Sequence, residues 1–291
     1  MNSKTNSNHR SPKVSIGMPV FNSEKFIREA LDSLLAQTFS DFELIISDNA
    51  SNDGTEGICR EYAARDPRIR YVRQSDNKGA IANFQFVLNE AAGEFFMWAA
   101  ADDRRDPEFL RVALQVFEAH GNCGLVFCDY RILNFETGDS SIVHVGMFNS
   151  AKPGKRYLMR LLTPCSSLIY GLHRLSILRQ IPLDVYDFFD MHLTHWYAIN
   201  SMVKIIPLPL YTAGVKGPFS PKGTRIPYSS TGKRIDASRF FREEKKMLFE
   251  KVPFFTAVTL YILLKYFYFK NVNNLNKIIR THFGRIPISS I

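Results

Sequence analysis

The fold is decided by the stretch Lys13-Val14-Ser15-Ile16-Gly17-Met18-Pro19 and by the segments that follow it as far as Phe42-Glu43-Leu44-Ile45-Ile46-Ser47. Between these two apolar runs, residues 26–35 place their apolar side chains at helical spacing. A strand, an amphipathic helix and a second strand within about 30 residues are typical of a βαβ unit with parallel strands. The sequence therefore predicts an α/β fold whose mainly parallel sheet is flanked by helices.

The next segments repeat this alternation. Turn-forming residues 50–55 precede a helix and a short strand at 68–72, and Asn77-Lys78-Gly79 opens a third helix. On that helix, an apolar stripe is formed by Ile81, Phe84, Val87, Leu88 and Ala91. This stripe predicts that Asn83 lies away from the centre of the core.

Polar residues follow the predicted strands. Asp102-Asp103 ends the apolar run 93–101, and the earlier strands end at Pro19-Val20-Phe21-Asn22 and at Asp48-Asn49. Ligands of open α/β sheets bind outside the carboxyl ends of the strands, so these loops and Asn77-Lys78-Gly79 predict a nucleotide site. Adjacent carboxylates there suit Mg²⁺ or Mn²⁺, although a solvated Asp-Asp turn is the simpler alternative.

Four segments in this order resemble the amino-terminal half of inverting family-2 glycosyltransferases with the GT-A fold. They are residues 14–22, 47–55, 77–79 and 101–103, and weaker agreement extends to about residue 215. The resemblance implies a metal-dependent enzyme that uses Mn²⁺ or Mg²⁺. It would move a sugar from a nucleotide-sugar donor, UDP-linked more than dTDP-linked, to a glycan or lipid-linked acceptor in cell-envelope polysaccharide synthesis.

The resemblance also implies roles for individual residues. Asp48 would accept a hydrogen bond from the base, and Asp103 would bind the metal while Asp102 contacts the ribose or the metal. The remaining nucleotide contacts would come from Pro19, Val20, Phe21, Asn22, Asn77, Gly79 and Asn83. The catalytic base is expected at Asp190, with Asp187 as the competitor, and Gly171 and Arg174 are expected beside the acceptor.

The sequence departs from the family pattern at two places. Alanine, Ala100 or Ala101, occupies the position where relatives usually carry the first acidic residue. The loop after the strand at 205–211 lacks the usual arginine and histidine, and Lys216 is the candidate replacement. The alternative function is therefore a catalytically silent relative that binds a nucleotide or a glycan.

Composition and patterning predict one catalytic domain with additions. We expect a disordered leader at 1–12, a catalytic domain at 13–215 with halves 13–105 and 106–215, a flexible loop at 216–233 and a helical extension at 234–291. The four cysteines show no metal-binding spacing, which favours reduced thiols and a cytoplasmic protein.

The net charge of +9 suits an anionic partner. No nucleic-acid recognition motif is present, whereas a nucleotide sugar and an anionic lipid both fit. The uncharged run 252–264 is too short for a bilayer-spanning helix of about 20 residues, but it has basic flanks. This pattern predicts peripheral contact of 252–270 with the inner face of the cell membrane. Packing on the catalytic domain or in a homodimer is the alternative.

Overall fold

A computed structural model provides the fold and describes residues 11–149, 152–162, 165–181, 189–215 and 237–266. Asp187, the leader to residue 10, the whole predicted flexible loop 216–233 with Lys216, and the chain after residue 266 lie outside the described residues.

One mixed sheet of nine strands runs through the described residues. In chain order the strands are β1 (Val14–Val20), β2 (Phe42–Asp48), β3 (Ile69–Arg73), β4 (Phe95–Trp98), β5 (Arg104–Arg105), β6 (Cys123–Asn134), β7 (Ser140–Val143), β8 (Leu172–Arg174) and β9 (Met202–Val215). Their spatial order is β3-β2-β1-β4-β8-β6-β9-β5, and β7 pairs with β6. Strands β1 to β4 are parallel to one another. Strand β8 is antiparallel to both β4 and β6, so β6 and its parallel neighbour β9 run in the same direction as β1 to β4.

Helices cover the sheet. They are α1 (Ile27–Leu35), α2 (Thr55–Arg65), α3 (Ala80–Asn89), α4 (Phe109–Ala119), α5 (Pro153–Leu162), α6 (Leu175–Leu178), α7 (Phe189–Asn200), α8 (Ala237–Lys251) and α9, which is described over 254–266. Short 3₁₀ turns occupy Gly146–Asn149 and Ser166–Tyr170. The predicted βαβ start is confirmed, since α1 connects the parallel strands β1 and β2.

Burial on both faces explains the apolar character of the first strands. Every residue of β1 is buried, as expected for a parallel strand covered by helices on each side. At Gly17 an added Cβ would lie 2.7 Å from Val87 Cγ2 of α3 and 2.8 Å from the ring of Phe96. A glycine at this position therefore lets α3 approach the sheet closely.

The prediction that Asn83 of α3 lies away from the centre of the core is wrong. Asn83 is buried, whereas Ile81 and Phe84 are only partly buried. The Asn83 amide donates to the backbone oxygen of Ser47 at 2.9 Å and accepts from the Ser47 hydroxyl at 2.5 Å. The end of β2 leaves polar groups that need partners, and Asn83 supplies them.

Candidate active site

The loops after β1 and β2 form one fixed surface. The amide of Asn22 donates to Ser51 Oγ, and the Asn22 side-chain oxygen accepts from the amide of Asn52, both at 2.9 Å. Asn22 and Ala50 adopt the left-handed backbone region with φ of 48° and 61°. Left-handed non-glycine residues persist only where surrounding contacts hold them, as these hydrogen bonds do for Asn22.

Asp48 ends β2 and is fully buried. One carboxylate oxygen accepts from the Ser51 amide at 2.8 Å, and the other accepts from the Tyr71 hydroxyl at 2.8 Å and from Arg73 Nη1 at 3.1 Å. Burial and the bond to Asp48 raise the pKa of Tyr71. Tyr71 and Arg73, two residues apart on β3, were not among the predicted site residues, although their alternation on a strand next to β2 was a usable signal.

The start of α3 lies at the same edge. Asn49 Nδ2 donates to Asn77 Oδ1 at 2.8 Å, and Asn77 Oδ1 also accepts from the Gly79 amide at 2.9 Å. Gly79 has a φ of 85°, a conformation that favours glycine. These contacts join the third predicted loop to the end of β2.

The Asp102-Asp103 pair follows β4 and lies against the end of β9. Strand β5, two residues long, pairs with Tyr211 and Thr212 of β9 and so brings the pair to that strand. The Tyr211 hydroxyl donates to Asp103 Oδ2, and the Gly214 amide donates to Asp103 Oδ1 at 3.1 Å. These hydrogen bonds connect Asp103 to a segment that lies more than 100 residues further along the chain.

The charge of Asp103 disfavours the charged form of Asp102. Burial, followed by the charge of Asp103, raises the pKa of Asp102 to about 7. Burial also raises the pKa of Asp103, and the Tyr211 hydroxyl, the charge of Arg105 and the Gly214 amide oppose that rise. A divalent cation bound at this pair would favour the charged carboxylates, so the pair fits Mg²⁺ or Mn²⁺ on chemical grounds.

The metal would take its other ligands from elsewhere. Among the described residues, no group of three or more histidine, cysteine, aspartate or glutamate side chains is arranged to hold a metal ion. With two protein carboxylates at most, phosphate oxygens and water would complete the coordination, as is common for Mg²⁺.

Arg105 supports Tyr211 from inside the sheet. Its guanidinium lies 4.0 Å from the centre of the Tyr211 ring and donates to the Tyr170 backbone oxygen at 2.7 Å. Arg105 is buried, so this stacking takes place away from water. No sequence pattern predicts the Arg105–Tyr211–Asp103 arrangement, because it depends on the pairing of β5 with β9.

The predicted base lies in the first turn of α7. Asp190 is partly buried, and the neighbouring Phe189 ring lies 5.4 Å from the Phe84 ring of α3. Helix α7 therefore begins next to the helix that carries Asn83. Burial raises the pKa of Asp190, while the Met191 amide and the charge of Arg160 oppose the rise.

A buried carboxylate joins α8 to this half of the fold. Glu244 of α8 accepts from the Tyr157 hydroxyl of α5 at 2.6 Å, and its oxygens lie 2.9 Å from His192 Nδ1 and 3.1 Å from His195 Nδ1. Burial raises the pKa of Glu244, but the histidines outweigh it and hold the pKa at about 2. Helix α8 thus packs on α7 through a buried polar cluster.

Comparison with known families identifies the chain. A family model described as glycosyl transferase family 2 matches residues 15–171, just over half of the sequence. The chain belongs to glycosyl transferase family 2. The matched residues include Asp48, Asp102 and Asp103, whereas Asp190 and Tyr211 lie beyond them.

Curated relatives of the chain align with it over only part of their length. EpsE of Bacillus subtilis strain 168, named as a glycosyltransferase, is 34% identical over 110 residues, which are 38% of this chain and 40% of EpsE. The chain thus spans less than half the length of this curated relative. Two solved structures share the fold. TarS 1–349 of S. aureus in complex with UDP has a TM-score of 0.64 at 20% identity, covering 95% of this chain and 76% of its own.

The second solved structure is the mannosyltransferase PcManGT of Pyrobaculum calidifontis in complex with GDP-Man and Mn²⁺. Its TM-score is 0.56 at 18% identity, and the match covers 97% of this chain and 79% of that one. The mixed, mainly parallel sheet with flanking helices is therefore a GT-A fold, and the predicted fold and family are confirmed.

The structure brings most predicted site residues of the transferase to one edge of the sheet. These residues lie at or just after the carboxyl ends of β1, β2 and β4, or at the start of α3: residues 19–22, Asp48, Asn77, Gly79, Asn83, Asp102 and Asp103. Gly171 precedes β8, where an added Cβ would lie 2.6 Å from Leu125 Cδ1, so close packing explains this glycine.

Arg174 is placed differently. It pairs with Phe95 at the start of β4, and its guanidinium lies over the rings of Phe95 and Phe117. Its side chain also donates to Glu94 at 3.3 Å. This position is at the amino-terminal edge of β4, opposite the Asp102-Asp103 pair, so the structure does not bring Arg174 together with the other predicted site residues.

Proposed function

We propose that the chain is a metal-dependent, inverting glycosyltransferase that moves a sugar from a UDP-linked donor, in preference to a dTDP-linked one, to a glycan or lipid-linked acceptor. The observation that carries the proposal is the Asp102-Asp103 pair, in which Tyr211 and Gly214 hold Asp103, at the edge of the sheet where β2 ends with Asp48. The TarS complex with UDP and the PcManGT complex with Mn²⁺ support the donor and the metal.

Each carboxylate has a distinct task in this proposal. Asp103 binds the metal, and Asp102 contacts the ribose or the metal. Bound Mn²⁺ or Mg²⁺ supplies a Lewis acid that stabilises the departing diphosphate. Asp48 is held by Ser51, Tyr71 and Arg73 at the base end of the donor.

Inversion requires a base on the opposite side of the sugar. Asp190, or its competitor Asp187, accepts the proton of the acceptor hydroxyl as that oxygen attacks the anomeric carbon. The raised pKa of Asp190 makes its carboxylate a stronger base than an exposed aspartate.

A role in cell-envelope polysaccharide synthesis, at the inner face of the cell membrane and with membrane contact through 252–270, belongs to the same proposal. In the described part of the chain, no helix is both long and apolar enough to cross a bilayer.

The second candidate is a catalytically silent relative that binds a nucleotide or a glycan. It is favoured by alanine at the first acidic position and by the fact that both oxygens of Asp103 already accept hydrogen bonds. Nucleotide release separates the two candidates, because a silent relative binds the donor without cleaving it.

The test is release of UDP or dTDP from nucleotide sugars with Mn²⁺, together with calorimetric binding of UDP. We expect Asp103→Ala to lose both activity and Mn²⁺-dependent binding, while Asp139→Asn, at an exposed turn, retains them. Asp190→Asn should lower transfer by about 10²–10⁴-fold and keep UDP binding. If that loss follows Asp187→Asn instead, Asp187 is the base. If nucleotide is never released and no binding depends on Asp103, the proposal is wrong.

A further inference from the structure

Helix α9 has two different faces. Ala257, Leu260 and Leu264 are buried and pack on the protein. Phe255 and Ile262 lie on the opposite face, 84% and 61% exposed, and Tyr266 continues that face. The spacing of seven and four residues keeps these three side chains on one side of the helix. Packing on the domain therefore accounts for only half of this amphipathic segment.

Exposed apolar side chains are concentrated here. Of the seven large apolar side chains that are exposed among the described residues, four belong to α9. They are Phe254, Phe255, Ile262 and Tyr266. A cluster of this kind marks a contact surface, since isolated exposed apolar residues are ordinary but grouped ones are not.

Lysines alternate with aromatic rings on the hairpin formed by α8 and α9. Lys245 Nζ of α8 lies 5.9 Å from the Phe249 ring, and that ring lies 5.7 Å from Phe254 at the start of α9. Near the other end, Lys265 Nζ of α9 lies 5.8 Å from the Phe241 ring of α8. These contacts show that the two helices run antiparallel and that cationic groups border the aromatic ones.

We propose that this surface, the basic aromatic face of Lys245, Phe254, Phe255, Ile262, Lys265 and Tyr266, docks on an anionic lipid bilayer. Aromatic and apolar side chains enter the boundary between headgroups and acyl chains, while lysines at the border meet lipid phosphates. The net charge of +9 adds a long-range attraction to the same partner.

Charge favours lipid over a second copy of the chain. A twofold contact would place the same lysine-bearing surface on both sides of the interface, so that like charges would lie on both faces of the contact. An anionic bilayer instead neutralises each lysine, which is worth about fivefold in partitioning per charge near the surface. The inference rests on the membrane contact of residues 252–270 in the proposed function and adds the lipid charge and the side chains that make that contact. Flotation tests it separately from nucleotide release, which tests the transferase activity.

The experiment is flotation of the full chain with vesicles of phosphatidylcholine alone or mixed with phosphatidylglycerol. We expect binding to the anionic vesicles and loss of binding at high salt. Phe255→Glu with Ile262→Glu should weaken partitioning by about tenfold or more, since two exposed apolar side chains no longer enter the bilayer. Lys245→Ala with Lys265→Ala should weaken binding to anionic vesicles only.

The matched control is Ile142→Glu with Leu208→Glu, which changes two apolar side chains that are 48% and 50% exposed elsewhere. It should float like the original chain, and melting temperatures should agree among all variants. Equal flotation of every variant would overturn the inference. So would light scattering that shows a dimer lost only in the α9 double variant, without vesicle binding, because the face would then join two copies.

Discussion

Replacement of Tyr211 by phenylalanine tests how the carboxylate pair is held. The ring is 1% exposed and stacks on Arg105 at 4.0 Å, so phenylalanine should keep the packing. The change removes one O–H donor to Asp103 Oδ2. A hydrogen bond to a charged group contributes about 1.5–3 kcal/mol. Loss of a group that orients a metal ligand typically lowers metal affinity by about 10–100-fold.

The expected result is therefore a drop of about 10–100-fold in Mn²⁺ affinity in the presence of UDP, measured by the electron paramagnetic resonance of free Mn²⁺. The loss should deepen as pH falls. The Tyr211 hydroxyl opposes the rise in the pKa of Asp103, so its removal raises that pKa further and leaves less carboxylate at low pH.

Tyr130→Phe is the matched control. The centre of the Tyr130 ring lies 5.9 Å from the centre of the Tyr211 ring, but the Tyr130 hydroxyl faces Cys165 Sγ at 3.9 Å. Its Mn²⁺ affinity should stay unchanged. Equal affinities of Tyr211→Phe and the original chain, with Asp103→Ala still defective, would refute the role assigned to the hydroxyl.

Three other substitutions have defined outcomes. Gly214→Ala would press a Cβ against the Phe135 ring and the Asp102 backbone oxygen, so both the melting temperature and Mn²⁺–UDP binding should fall. The control Gly121→Ala places its Cβ in open space and should change neither. Asp48→Ala leaves the buried Ser51 amide and the partly buried Tyr71 hydroxyl without their acceptor, so it should cost about 1–3 kcal/mol for each in urea unfolding and should weaken UDP binding. Glu244→Gln should lower stability at neutral pH by about 3–5 kcal/mol. The pKa of Glu244 is about 2 in the folded protein and its ordinary value is 4.5. The stabilisation is therefore complete above pH 4.5 and disappears as pH falls towards 2. Over this range, the unfolding free energy of the variant should depend less on pH than that of the original chain.

The sequence predicts those parts of the molecule that local patterns govern. Apolar runs and helical spacing were sufficient for the βαβ start, and strand ends followed by polar residues placed Asp48 and Asp102 at one edge. Periodicity failed at Asn83, because it assigns polar residues to the surface whereas the ends of β1 and β2 need a buried amide.

The sequence did not predict the contacts between segments that are distant along the chain. Tyr211 meets Asp103 only because a two-residue strand pairs with β9, and such a short strand has no recognisable pattern. Glu244 lies on a highly charged helix, where a carboxylate is expected to face water. Its burial depends on two histidines and a tyrosine from other helices.

The bond between Asp103 and the Gly214 amide joins residues 111 positions apart, and this separation has a kinetic consequence. Contacts between distant parts of a chain form late in folding, since closing a long loop costs entropy before the contact stabilises anything. During synthesis, the first half of the sheet can therefore assemble with the loops that follow β1 and β2 while Asp103 still lacks the groups that orient it. We expect metal-dependent nucleotide binding to mature only after β9 has joined the sheet, which makes that binding an indicator of complete folding.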